Sequence, residues 1–389
     1  MFETLPQHKL GMHWIPYHQR NEGVTYAQRL KPSMIKLVDP DPNFSLRCLD
    51  WLDPAGYLIL RDWALSEQKD ALAHDPIALG IAHAEDWNSK LSTGGRFASL
   101  PRNRIVICGI NEPFVRSPNE ISATVNYTLS LLKRATQLGL KVCALNLSVG
   151  WPGNHDTATI KDTPPDWGPF MVLEDAILEN NGFLCVHEYF YADQFETVHP
   201  DPVVGPFGWY THRIDMCPMK RVPIIIGEFG MQKQVDMERW IKEGQPKIGW
   251  LTNLTPDQYA KQIWDYCNTV NPNVFSVLPF TTDFNHDWYW MDTLQAHNAI
   301  LAQKQMATWP NPYPTGVVDK PTESNPMLFI TPKITGHVTG FYGSMYTGSN
   351  TTYPHEGLDI SSPLGVPVYA AFDGVCAWAD YEPATYGNY

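Results

Sequence analysis

Eight short apolar runs, separated by longer amphipathic stretches, do most to limit what this chain can fold into. They are Lys9–His13, Met34–Val38, Tyr57–Leu60, Arg104–Cys108, Val142–Leu147, Phe183–Val186, Pro223–Ile226 and Val274–Leu278. Most are apolar throughout instead of alternating, the pattern of a parallel strand covered on both faces. Two intervening helices are signalled by their first turns. Ser117-Pro118-Asn119-Glu120 is a capping box with proline at the first helical position, and Ile121, Val125, Leu129 and Leu132 follow on one face. Thr255-Pro256-Asp257-Gln258 repeats the device before Tyr259, Ile263, Tyr266 and Val270. The spans between the first three runs are irregular. Eight strands alternating with helices predict an α/β fold, a (β/α)8 TIM barrel, in preference to an open doubly wound sheet.

The alternation stops near Met306. Pro310, Pro312, Pro314, Pro321 and Pro326 then interrupt any helix and favour extended, semi-rigid chain. Beyond them the composition turns to Gly, Thr, Ser and Tyr, with β-type runs such as Val366–Ala371. The expected organisation is a barrel domain over 1–308, a Pro-rich linker over 309–330 and a partial all-β module over 331–389. At roughly 60 residues the last is short for a domain.

Charge narrows the partners. The 389 residues carry 28 Lys and Arg against 41 Asp and Glu, a formal charge of −13, so no basic face is available for nucleic acid or an anionic membrane. No apolar run approaches the roughly 18 residues of a membrane span. The opening Met1-Phe2-Glu3-Thr4-Leu5 has neither a basic nor an apolar leader region, so a signal peptide is expected to be absent or already removed. A secreted or cell-envelope location is favoured in the second case, and the compartment and oligomeric state stay open. Seven widely spaced cysteines without a CxxC argue against a disulfide framework or zinc knuckle. Cys108, Cys143 and Cys185 lie inside apolar runs, where a thiol behaves as a small buried hydrophobe.

In a parallel barrel the chemistry collects where strands end, so the residues after each apolar run are informative. Two of them are glutamates. The fourth run leads into Asn111-Glu112-Pro113 and the seventh into Gly227-Glu228-Phe229-Gly230. Carboxylates in such a partly desolvated mouth are costly unless used or paired. The pair suits glycoside hydrolysis, which needs one acid for the leaving oxygen and one carboxylate to attack the anomeric carbon or activate water. Taken alone, an Asn-Glu-Pro occurs by chance and is usually a solvated turn.

These segments resemble the signatures of the clan A glycoside hydrolases, the retaining group that includes many cellulases and mannanases, over residues about 8–306. His187-Glu188-Tyr189 after the sixth run is similar to the clan's His-x-Tyr. The resemblance implies Glu112 as general acid/base, Glu228 as nucleophile and Asn111 as partner of the sugar 2-hydroxyl. His187 and Tyr189 would position the sugar and hold Glu228. No cofactor is implied, and the expected partner is a carbohydrate. The clan often places an arginine near the end of its second strand. The nearest candidate, Arg61, follows the third run. In place of the usual tryptophan after strand eight stands Phe280, with Trp288 and Trp290 further along.

Aromatic residues crowd the same loops: Trp14, Tyr17, Trp63, Trp151, Phe190, Tyr191, Trp288 and Tyr289. Such rings can stack on sugar C–H faces, and about half are expected to be core instead. Trp151 and Trp288 are the substrate-binding candidates among them. Asp62, Asn146, His13 and His155 are polar candidates expected to be scaffold.

His355-Glu356-Gly357-Leu358-Asp359 and the following Gly365–Val375 segment resemble the lysostaphin or LytM-type zinc peptidases, over residues about 334–389. By that resemblance His355 and Asp359 would bind zinc. Catalytic zinc takes three protein ligands, and the family's later His-x-His is not among these residues. The site is therefore expected to be incomplete and unoccupied, with zinc only if the module were complete, and the chain reads as part of a longer protein. The leading expectation is a retaining glycoside hydrolase acting on a β-linked poly- or oligosaccharide. The alternative is a barrel that binds cell-wall glycan without cleaving it, attached to a zinc peptidase.

Overall fold

The computed structural model describes residues 5–15, 21–148, 151–152, 166–191, 214–232, 249–252, 254–282 and 291–306, together with six short strands beyond residue 336. Two compact units separate between Thr315 and Gly316.

In the first unit eight strands form one parallel sheet in sequence order: β1 (Met12–Trp14), β2 (Met34–Val38), β3 (Tyr57–Arg61), β4 (Ile105–Cys108), β5 (Lys141–Leu147), β6 (Phe183–Tyr191), β7 (Ile224–Gln232) and β8 (Val274–Pro279). Parallel bridges Leu10–Val277 and Trp14–Thr282 join the last strand to the first, so the sheet closes into a (β/α)8 barrel. Each of the eight apolar runs of the sequence coincides with one of these strands. β6 and β7 continue past their runs, so His187, Tyr189 and Glu228 lie within paired strand ends and not in loops beyond them.

Alternation along each strand sorts side chains into two cores. Met34, Ile59, Val106, Cys143, Phe183, Ile225 and Phe275 fill the barrel interior. Ile35, Leu37, Leu58, Leu60, Ile107, Leu184 and Ile226 face the surrounding helices. By this parity Lys36, between Ile35 and Leu37, belongs to the interior.

The helices are α1 (Asn21–Leu30), α2 (Pro42–Trp51), α3 (Trp63–Ser66), α4 (Lys69–His74), α5 (Pro76–Leu91), α6 (Pro118–Gln137), α7 (Glu174–Asn180), α8 (Pro256–Thr269) and α9 (His297–Met306). Both capping boxes form, Ser117 with Glu120 on α6 and Thr255 with Gln258 on α8. The irregular span after β2 holds α2, whose Asp41 cap accepts from the Phe44 N–H ahead of Pro42. Trp14 corrects an expectation. It is fully buried and packs edge-on to Phe44, outside the barrel and away from the mouth. With parity set by the strand, its ring fills the layer between sheet and helices.

In the second unit the described strands pair antiparallel, among them Asp359–Ser361 with His337–Gly340. The expected linker, 309–330, lies outside the described residues.

Candidate active site

Glu112 and Glu228 meet at the C-terminal mouth of the barrel. With His187 they form the one cluster among the described residues whose metal-ligating atoms all lie within 4.8 Å of one another. Their surroundings differ sharply.

Glu228 is 7% exposed. Its Oε1 accepts from Lys36 Nζ at 3.1 Å and from Arg61 Nη1 at 3.5 Å, and its Oε2 accepts from the Tyr189 hydroxyl at 2.8 Å. His13 Nε2 and His187 Nδ1 each stand 3.7 Å away. Burial by itself raises this carboxyl, but the surrounding charges, His187 and Lys36 foremost, outweigh it and hold Glu228 well below the usual carboxylate range. Burial and Lys36 push His13 well down, so near pH 7 it is neutral and the cations on Glu228 are Lys36, Arg61 and His187. Burial opposes the charge on His187 as well. Glu228, Cys185 and Glu112 override it and raise the imidazole to about 9. Lys36, fully buried, is raised despite its burial because Glu228 faces it.

A step in register aims Glu228. Val186 pairs with Ile226, yet the next pair is His187 with Glu228, so Gly227 is an extra residue on β7. Without it, alternation would turn residue 228 outward. With it, Glu228 faces the mouth beside His187, and Phe229 turns out to pack on Tyr266. The extra residue must be glycine here: a Cβ on Gly227 would stand 2.4 Å from Cys185 Sγ.

Glu112 has a side chain 34% exposed, and its Oε1 lies 2.9 Å from His187 Nδ1. Its backbone sits in the left-handed region at φ +48°, a costly conformation for a non-glycine residue that persists only when its surroundings impose it. Three elements impose it. The Ile110 N–H donates to the Tyr127 hydroxyl on α6 at 3.1 Å. The Asn111 N–H donates to the Ser66 carbonyl of α3 at 2.9 Å, and the Glu112 N–H to the Asn146 carbonyl of β5 at 3.0 Å. Asn111 is buried, and its Oδ1 has no hydrogen-bond partner among the described residues.

Of the expected site residues the structure thus brings together Glu112, Glu228, Asn111, His187, Tyr189 and Arg61. Arg61 ends β3, and its guanidinium also binds Glu67 Oε1 at 2.7 Å and Ser66 Oγ at 3.0 Å. Trp151 is partly buried against the outer core. Phe280 is 8% exposed, its ring 4.8 Å from that of His13. Asn146 and Asp62 are scaffold: Asp62 caps α3 and binds Lys90 Nζ at 2.6 Å. Tyr17, His155, Trp288, Tyr289 and His355, and the side chains of Phe190, Tyr191 and Asp359, lie outside the described residues.

Lys36 is the residue the sequence reading did not single out. Its signal was a charge in the middle of an otherwise apolar five-residue strand, which a covered strand does not tolerate without a buried partner. His13 was read as scaffold and instead lines the site.

The Glu112–His187–Glu228 cluster has the donor set of a metal site. Lys36 and Arg61 already neutralise Glu228, however, and their charges would repel a divalent ion there.

Neither a protein-family model nor a curated protein matches the chain. Among solved structures it is similar to a β-mannanase from Thermomonospora fusca, at 13% identity over 76% of this chain and 90% of that one, with a TM-score of 0.39. A plant β-glucan endohydrolase covers 72% and 95% at 11% identity and a TM-score of 0.42. A β-glucuronidase from Ruminococcus gnavus covers 77% and 50% at 10% identity and a TM-score of 0.41. At these scores the likenesses add no weight, and the barrel rests on its own strand pairing.

Proposed function

We propose that this chain is a retaining β-glycoside hydrolase acting by double displacement, with Glu228 as nucleophile and Glu112 as general acid/base. The supporting observation is the spacing of the two carboxylates. One oxygen of each lies within 4.8 Å of the other, which suits the roughly 5 to 5.5 Å between carboxyl groups of retaining enzymes better than the about 6.5 to 9.5 Å of inverting pairs.

The asymmetry between the two supports the division of roles. Glu228, kept ionised by Lys36, Arg61 and His187, attacks the anomeric carbon while the bond to the leaving oxygen breaks. Glu112, partly open to solvent, draws the proton from the His187 imidazolium 2.9 Å away and passes it to that oxygen, and the proton it later takes from water returns to His187. In the second step Glu112 takes a proton from water, the water oxygen bonds to the anomeric carbon, and Glu228 departs as carboxylate. Two inversions leave the configuration retained. The cations beside Glu228 make it a weaker base and so a better leaving group from the glycosyl ester. Asn111, with a buried amide oxygen lacking a partner among the described residues, is suited to the sugar 2-hydroxyl, and the Tyr189 hydroxyl fixes the rotamer of Glu228. This chemistry uses no cofactor.

The test is a panel of β-linked polysaccharides and 4-nitrophenyl glycosides against wild type, Glu112→Gln and Glu228→Gln. Hydrolysis by wild type should fall by roughly 10³-fold or more in Glu228→Gln. Hydrolysis unaffected by either substitution would falsify the assignment, and glycan binding without cleavage would make the barrel a lectin-like module.

A further inference from the structure

Beside the catalytic pair, a wall of aromatic rings backed by cations extends from Glu228 to the solvent. Arg61 binds Glu228 and lies 5.1 Å from the Trp63 ring, and Trp63 is 53% exposed. Glu67 joins Arg61 to Lys69, whose Nζ is 3.6 Å from Glu67 Oε2 and 5.7 Å from the centre of the Phe114 ring. Phe114, two residues beyond Glu112, is 40% exposed, and the Arg116 guanidinium stands 4.9 Å from its ring centre.

Not every cation on this wall has an ion-pair partner. Glu67 is shared between Arg61 and Lys69. Glu120, four residues beyond Arg116, accepts from the backbone N–H groups of Arg116 and Ser117 at 2.8 and 2.9 Å. Asp62 is held by Lys90 and the Leu65 N–H, and Asp39 accepts from the Trp63 N–H at 2.7 Å. Arg116 has no carboxylate within ion-pair distance among the described residues. On a chain of formal charge −13, Arg116 and Lys69 place two cations against one exposed ring.

We infer that Phe114, Arg116 and Lys69 form a leaving-group subsite for a sugar that carries a carboxylate. The inference rests on the hydrolase reading above. Phe114 and Arg116 follow Glu112, the residue that protonates the leaving oxygen, which assigns them to the departing sugar in place of the one bonded to Glu228. The Phe114 ring takes the C–H face of that sugar, and the guanidinium beside the ring receives the carboxylate in a forked, charge-assisted contact. Two sources supply this chemistry, a uronic acid in an acidic β-glycan and the lactyl carboxylate of a peptide-free peptidoglycan strand.

The experiment compares kcat/KM on uronate-bearing β-oligosaccharides with their carboxyl-reduced counterparts, and on amidase-stripped peptidoglycan strands with the same strands blocked as methylamides. At least one acidic substrate should be preferred by about tenfold at low salt, and the better of the two identifies the source. Arg116→Gln should abolish most of that preference, Arg116→Lys should restore part of it, and Lys69→Gln should reduce it. Equal rates on acidic and neutral partners, or a preference untouched by Arg116→Gln, overturn the inference. Turnover of 4-nitrophenyl glycosides by the wild type separates the two levels. If they are cleaved and no acid preference appears, only the subsite is wrong, whereas no cleavage of any glycoside removes the hydrolase reading itself.

Discussion

Lys36 carries the sharpest consequence for single residues. Its ammonium is one of the charges that outweigh the burial of Glu228. In Lys36→Met, Glu228 should titrate higher, moving the acid limb of the kcat/KM profile to higher pH and lowering the plateau by about 10²-fold. An unchanged acid limb would show that Arg61 and His187 suffice. The stability signs follow from the same shifts. Glu228, depressed in the fold, stabilises it above its unfolded value of about 4.3, and that contribution is lost as pH falls through the folded value. His187, raised to about 9, contributes fully below its unfolded value of about 6.5 and loses its contribution as pH rises through about 9. The stability advantage of wild type over His187→Gln should therefore shrink between those two pH values, as read from thermal unfolding across that range. Glu112 and Glu228 were legible because each closes an apolar run with an acid. Lys36 was not, because nothing local distinguishes a functional buried lysine from a misread strand until the charge opposite it on β7 is known.

At the scale of elements, the extra residue on β7 decides where Glu228 points. Gly227→Ala would drive a methyl group into Cys185 Sγ. Either the interior gives way or the strand straightens and turns Glu228 out. The variant should lose about 1 to 3 kcal/mol in urea unfolding together with most of its activity. Adding Cys185→Ala should recover part of the stability, and full wild-type behaviour in the single variant would contradict the packing argument. The strands could be read from sequence because both of their faces are covered, so their runs are unbroken apolar. The step in register could not, since a glycine before a glutamate looks the same in a straight strand. α2 was also missed, although Asp41-Pro42 carries a cap-and-proline signal like those of α6 and α8. Trp14 was assigned to the mouth because its side-chain direction depends on a strand end read one residue early, and each one-residue slip exchanges the two cores.

For the molecule as a whole, the barrel closes on itself and separates from the chain beyond Thr315. Every residue assigned to the hydrolytic chemistry lies within the first unit. Residues 1–315 expressed alone should unfold cooperatively and keep the glycosidase rate of the full chain, and loss of activity in a folded 1–315 would assign the second unit a part in the site. The most direct test of the central claim is proton NMR of the first sugar released by the full chain from a β-linked substrate, recorded before mutarotation. Two carboxylates this close predict that the β-anomer appears first and the α-anomer only later. Initial release of the α-anomer would mean a single inverting displacement, which this pair of glutamates could not then perform as described.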